Sequence, residues 1–184
     1  ADLSTLGQWP HGPLTPVYVE LRRFVASKHF PARINDQPNV DHLWQYIEAD
    51  ILGNDLADYA ADLKQDLEQG HAVLILDGLD EVPYPEDHLA DRQRQLQSLA
   101  TSINTVYRPS RVIVASRPYA YESWTLPGFE AVTLADFEDK HRIALAANLY
   151  RAAGQPDEES KARANRLNTQ LGPIDPQLKD RPLF

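Results

Sequence analysis

The sequence predicts an α/β fold whose parallel sheet is covered by helices on both faces. Two almost wholly apolar runs, 72–76 and 111–116, are each preceded by a segment with helical spacing of apolar residues. Continuous apolar runs are typical of parallel strands, because helices cover both faces of such sheets. With 184 residues, 42% of them hydrophobic, the chain is long enough to bury a substantial core.

The first half of the chain predicts a loop, a strand, two helices and a second strand. The proline-rich stretch 1–16 has no sustained period, whereas 17–21 (VYVEL) alternates apolar and polar residues as a half-buried strand does. Apolar residues then recur at helical spacing over 40–51 and again over 56–67. Gly70 is expected to end the second helix, and the apolar run AVLIL forms the next strand.

The second half continues the alternation of helix and strand. A helix over 89–106 leads into the strand 111–116 (RVIVAS), and a short strand is expected over 131–134. A helix over 137–153 and a more polar helix over 157–171 complete the pattern.

Composition excludes several classes of protein. The formal net charge of -9 argues against broad electrostatic binding to nucleic acid or to anionic lipid, so neither a specific nucleic acid nor a membrane is an expected partner. No apolar stretch approaches the roughly 20 residues of a membrane helix, and no signal segment is present. The absence of cysteine excludes disulfides and thiolate chemistry, which fits a cytoplasmic location. Since methionine is absent too, we expect the chain to be part of a longer protein.

The segment AVLILDGLDEV carries the most chemical information. Its apolar run stops at Asp77 and is followed by Asp80 and Glu81, which places three carboxylates within five positions. In open α/β sheets ligands bind at the carboxyl ends of the strands, and such acids can hold a hydrated Mg²⁺ and orient a water. The pattern is typical of the Walker B half of a nucleotide site, although the acids could also be solvated residues at a strand end.

The phosphate-binding half of a nucleotide site is missing from the chain. The loop G-x-x-x-x-G-K-[ST] occurs nowhere, and none of the 8 glycines is followed by lysine. Without its backbone N–H groups and lysine, a polyanionic ligand would approach an already negative chain.

A second group of residues, Ser116-Arg117-Pro118, directly follows the strand RVIVA. A proline keeps the residue before it extended, so the Arg117 guanidinium is expected to point over the carboxyl edge of the sheet. A γ-phosphate would lie there, and arginine suits phosphate oxygens. The alternative is an ion pair between Arg117 and one of the nearby acids.

These segments resemble the NACHT family of STAND-class P-loop NTPases. LILDGLDEV, followed downstream by RVIVASRP, matches a family pattern with a small residue after the metal-binding aspartate and acids two positions further. TPVYVELRRF resembles the strand after the P-loop helix, and LADFEDKHRIALAANLY resembles the segment that leads into a small helical domain. The terminal DRPLF resembles the proline motif of that domain, so the resemblance spans 16–184.

The resemblance implies a role for each matching residue. Asp77 would hold Mg²⁺, mainly through water, and Asp80 and Glu81 would position or activate the hydrolytic water. Arg117 would be the catalytic sensor of the γ-phosphate, and Pro182 would contact the base. A proline so close to a chain end could equally be a simple break in structure.

The resemblance also implies the architecture. The fold would be a three-layer parallel sheet of the P-loop NTPase type, incomplete at its amino-terminal strand, with the start of a small helical domain. The core lacking the P-loop would cover 1–153 and the small domain 154–184. Because the P-loop strand lies centrally in such sheets, between 111–116 and 131–134, we expect a sheet that is gapped, repacked or completed by another chain.

The function implied is that of a nucleotide-binding regulatory NTPase module in a cytoplasmic signalling or defence protein. The full-length protein would bind Mg²⁺ with ATP or GTP and hydrolyse the nucleotide slowly, while this chain alone is expected to bind none. Neighbouring domains or subunits would be its partners. Two alternatives stay open. One is a nucleotide-independent protein-interaction module. The other is a hydrolase or phosphatase with Asp77 and Asp80 as nucleophile and acid, whose companion lysine and Ser/Thr are not recognisable.

Overall fold

Three parallel strands form the central sheet, as the apolar runs of the sequence predict. A computed structural model of the protein describes residues 12–84, 88–117, 125–134 and 138–171. The strands lie in the order β1-β2-β3 and are β1 (Thr15–Glu20), β2 (Ala72–Asp77) and β3 (Arg111–Val114). The protein is therefore mixed α/β with a parallel sheet.

The strand ends lie level at the carboxyl edge of the sheet. Glu20 pairs with Asp77 between β1 and β2, and Leu76 pairs with Val114 between β2 and β3. Ala115 extends this pairing beyond β3, because its N–H donates to the Leu76 carbonyl at 2.9 Å. Side chains that follow the three strands therefore start from one edge.

Helices connect the strands. α1 (Leu21–Ala26) follows β1 directly, and a cap formed by Asn39 opens α2 (Val40–Tyr46). A π-helical segment (Ile47–Leu52) extends α2, and α3 (Ala60–Gln69) then leads into β2. α4 (Leu89–Val106) connects β2 to β3. The predicted helices over 40–51, 56–67 and 89–106 are confirmed, and the first passes from an α-helix into the wider π-helix at Ile47.

The core covers one face of the sheet. Val19, Leu74 and Leu76 point into a single hydrophobic cluster with residues of α1 to α4, and each is at most 3% exposed. On the opposite face Tyr18 and Ile113 are both 52% exposed. Both crossovers advance in the same direction across the sheet, and the right-handed rule places them on the same face. The helices that connect β1, β2 and β3 therefore cover one face, and coverage of both faces stays a prediction.

The last part of the chain forms a separate unit. Contacts divide the chain into Ala1–Ala131 and Val132–Phe184. In the second unit α5 (Asp139–Ala152) packs against α6 (Asp157–Leu171), where the Arg142 Nε donates to the Asn168 Oδ1 at 3.0 Å. The resemblance placed its boundary after residue 153, a division that stays a prediction.

The expected strand over 131–134 does not form. These residues adopt no regular structure, and Val132 and Leu134 are 83% and 87% exposed. A strand is stable only with a hydrogen-bonding neighbour, and the apolar pattern of a short segment cannot show whether one is present.

None of the described helices combines the length and the apolar character needed to cross a lipid bilayer.

Candidate functional site

The carboxyl edge of the sheet gathers the charged residues that the sequence singles out, together with three that it does not. Four carboxylates and three arginines follow the strand ends: Glu20, Asp77, Asp80, Glu81, Arg22, Arg23 and Arg117. Three separate pairs of opposite charge form among them, so positive and negative groups alternate closely at this edge.

Asp77 ends β2 and shares a hydrogen bond with the neighbouring strand. The Tyr18 hydroxyl donates to the Asp77 Oδ2 at 2.6 Å, a length typical of a hydroxyl bonded to an ionised carboxylate. The same bond is the main reason why the pKa of Tyr18 is raised. In the described part of the chain no other hydrogen bond reaches the Asp77 side chain, so its Oδ1 is available to a ligand.

Gly78 turns the chain sharply after Asp77. Its φ of 76° is in the left-handed region, which glycine adopts without the strain that a side chain brings. A Cβ at Gly78 would meet only ordinary contacts, the nearest at 3.6 Å from Glu81. Backbone conformation therefore explains the small residue after the aspartate, and it starts the 3-10 turn Leu79–Glu81.

Leu79 fixes this turn to the core. It is only 1% exposed, and its N–H donates to the Ala115 carbonyl at 3.0 Å. Because Leu79 is buried and directly precedes the two acids, it holds Asp80 and Glu81 at the carboxyl edge.

Asp80 binds Arg117, which is the ion pair that sequence reasoning kept as an alternative. The Asp80 Oδ1 accepts the backbone N–H of Arg117 at 3.1 Å, and Oδ2 lies 3.5 Å from the Arg117 Nε. The Asp80 side chain is only 5% exposed, whereas that of Arg117 is 65% exposed. The aspartate is thus fixed in place, and the guanidinium keeps most of its surface in solvent.

Glu81 is more accessible than Asp80. Its side chain is 46% exposed, and its Oε2 lies 3.7 Å from the Arg22 Nη1, a long and weak contact. Arg23, which follows Arg22 in the chain, forms an ion pair with Glu20, whose Oε2 lies 2.9 Å from the Arg23 Nε. Glu81 therefore remains open to solvent, as a group that handles a water must be.

The residues at this edge could hold Mg²⁺ only if a second bound ligand also coordinated the ion. Within the described residues no group of three potential protein ligands could hold a metal ion. Mg²⁺ bound beside phosphates keeps several waters and takes only one or two carboxylates from the protein. The oxygen chemistry of Asp77 suits that mode of binding.

One predicted site residue cannot be placed, and two residues at the site were not predicted. Pro182 lies outside the described residues. Tyr18 and Arg22, by contrast, are at the site although sequence reasoning gave neither a role. Tyr18 lies two positions before Glu20 on β1, and the level pairing of Glu20 with Asp77 brings it to the edge. If this register of β1 and β2 had been assumed from the sequence, it would have indicated Tyr18.

No protein-family model matches the chain, and neither a curated protein nor a solved structure matches it.

Proposed function

We propose that this chain is the metal- and sensor-bearing part of a nucleotide-binding regulatory NTPase of the NACHT type, acting in a signalling or defence protein. The observation that carries the proposal is the meeting of Asp77, Glu81 and the Asp80–Arg117 pair at one carboxyl edge of a parallel sheet. Ligands of open α/β sheets bind at that edge.

The geometry divides the work among the acids. Asp77 would carry Mg²⁺ through its Oδ1, with water between them. Glu81, which is 46% exposed, would orient the hydrolytic water. Asp80 would act through Arg117, because its carboxylate is buried against that residue. This arrangement also weakens the hydrolase alternative, which requires Asp80 as a free acid.

Arg117 would contact the γ-phosphate. Its backbone is fixed by Asp80, while 65% of its side chain is exposed and can turn to a ligand. A guanidinium suits phosphate oxygens because it presents several donors in a planar fork. Hydrolysis would remove that phosphate, and the loss of the contact would report the nucleotide state.

The phosphate-binding loop would have to come from a segment outside the 184 residues. In the described structure β3 pairs with β2 along one side, and no described strand pairs with its other side. A further parallel strand could add to that side. The small helical domain that the resemblance implies, 154–184, would begin with α6, which packs against α5.

Calorimetric titration of Mg-ATP and Mg-GTP tests this proposal. The titration compares the 184-residue chain with the longest natural form of the protein that contains it. Binding by the longer form, and none by the chain alone, is the expected result. Asp66→Asn serves as a matched control in the longer form, because Asp66 contacts Thr15 at the amino end of β1 and should not affect binding.

Two outcomes would overturn the proposal. Absence of nucleotide binding by the longer form would favour the nucleotide-independent interaction module. Tight nucleotide binding by the 184-residue chain itself would show that the phosphates are bound without a P-loop.

A further inference from the structure

Tyr18 stands out on the less covered face of the sheet. Tyr18 is 52% exposed and lies on β1, in register with Ile75 of β2. Its hydroxyl reaches two positions further along β2 to the Asp77 Oδ2, at 2.6 Å. The bond therefore joins two strands at the point where β2 ends.

The bond limits the positions that the Asp77 carboxylate can take. The terminal torsion of an aspartate side chain is broad, so an unrestrained carboxylate turns easily. A donor on one oxygen selects one orientation, in which the second oxygen has no partner in the described part of the chain. Groups that orient a metal ligand in this way commonly change metal affinity by about 10- to 100-fold.

We propose that Tyr18 is a positioning residue for the metal site, holding the Asp77 Oδ2 so that Oδ1 faces the Mg²⁺-bound water of a nucleotide. The inference rests on the proposed function of the same edge. It adds a residue that the NTPase motifs in the sequence do not include, and it makes β1 part of the metal site.

The role of the Tyr18 hydroxyl in orienting Asp77 can be tested separately from the packing of the Tyr18 ring. Tyr18→Phe keeps the ring and removes only the hydroxyl donor, at a residue that is 52% exposed. A matched control is Tyr59→Phe. Tyr59 also donates to a carboxylate, that of Asp66 at 3.4 Å, but at the opposite edge of the sheet.

The experiment measures nucleotide binding, not turnover, in the longest natural form of the protein. ATP affinity is followed over a series of Mg²⁺ concentrations, and again in EDTA, for the wild type and for Tyr18→Phe, Tyr59→Phe and Asp77→Asn. Tyr18→Phe should raise the Mg²⁺ concentration at half-maximal binding about tenfold, and it should leave the affinity in EDTA unchanged. Tyr59→Phe should match the wild type in both series.

The experiment distinguishes a failure of the proposed function from a failure of the positioning role of Tyr18. If Asp77→Asn leaves the Mg²⁺ dependence unchanged, the proposed function is wrong. If Asp77→Asn raises the Mg²⁺ requirement while Tyr18→Phe does not, the positioning role alone is wrong. An equal shift in Tyr59→Phe, or a loss of affinity in EDTA with Tyr18→Phe, would show a general effect on the fold and would also overturn the inference.

Discussion

Asp80 holds Arg117 through both its main chain and its side chain, although 37 residues separate them. The aspartate follows β2 and the arginine follows β3, so the contact fastens the two strand ends together. Because Asp80 is nearly buried and Arg117 is mostly exposed, the two partners should not contribute equally to stability.

Asp80→Ala should lower the free energy of unfolding by about 1–2 kcal/mol, because the N–H of Arg117 loses a charged acceptor. Asp80→Asn keeps an acceptor oxygen, and Arg117→Ala keeps the backbone bond, so each should cost less than about 1 kcal/mol. Urea unfolding followed by tryptophan fluorescence measures the difference, since Trp44 is buried in the same unit as Asp80. Equal costs for Asp80→Ala and Arg117→Ala would contradict the structure.

Gly70→Ala should be more destabilising than Gly78→Ala. Both glycines have a left-handed φ, of 87° and 76°, which costs an alanine about 1–2 kcal/mol. A Cβ at Gly70 would also lie 2.6 Å from the Pro109 carbonyl oxygen, and a backbone atom cannot move aside cheaply. We expect a loss of about 1 kcal/mol from Gly78→Ala and at least about 3 kcal/mol from Gly70→Ala in the same unfolding measurement. Similar losses for both would contradict the close approach of Gly70 to Pro109.

Gln95→Leu should cost about 2–3 kcal/mol. Gln95 lies on α4, is 1% exposed, and donates to the backbone carbonyls of Arg33 and Asp36 at 3.2 and 3.0 Å. Leucine fills a similar volume but leaves two carbonyls of the α1–α2 connection without their donor. Gln97→Leu is the control, because Gln97 makes one exposed bond to the Thr125 carbonyl. Thermal and urea unfolding should show a loss below about 1 kcal/mol for the control. Equal effects would rule out anchoring by Gln95.

Tyr107 should make the protein less stable at high pH. Its side chain is 1% exposed, and burial raises its pKa above the ordinary value of 10.0. Its contribution to stability is therefore complete below pH 10. Above pH 10 the unfolded chain loses a proton that the folded protein retains, so stability falls by up to about 1.4 kcal/mol per pH unit. Tyr107→Phe should reduce this slope between pH 10 and 11.5 in urea unfolding. An unchanged slope would contradict the burial of the phenol.

Much of the sheet could be predicted because its strands have strong local signals. The apolar runs of β2 and β3 end in charged or polar residues, a pattern that predicted a shared edge for Asp77 and Arg117 if the two strands were neighbours. The sequence allowed two interpretations of Arg117, a phosphate contact or an ion pair with a nearby acid. It could not decide between them, because the position of the Asp80 carboxylate depends on the turn at Gly78 and on the burial of Leu79.

The remaining differences have tertiary causes. Leu21 opens α1 instead of ending β1, because it packs into the core below the sheet, where it is 2% exposed. The segment 131–134 has the composition of a strand but no described partner strand, and composition cannot supply one. The role proposed for Tyr18 depends on strand register, which a single sequence does not specify.

The central claim is that the acidic edge binds the metal of a nucleotide through Asp77. The most direct test is calorimetric titration of ATP into the longest natural form of the protein, with Asp77 intact or replaced by asparagine, in Mg²⁺ and in EDTA. We predict that Asp77→Asn weakens binding about tenfold or more in Mg²⁺ and has no effect in EDTA. Equal affinities of the two proteins in Mg²⁺ would contradict the claim.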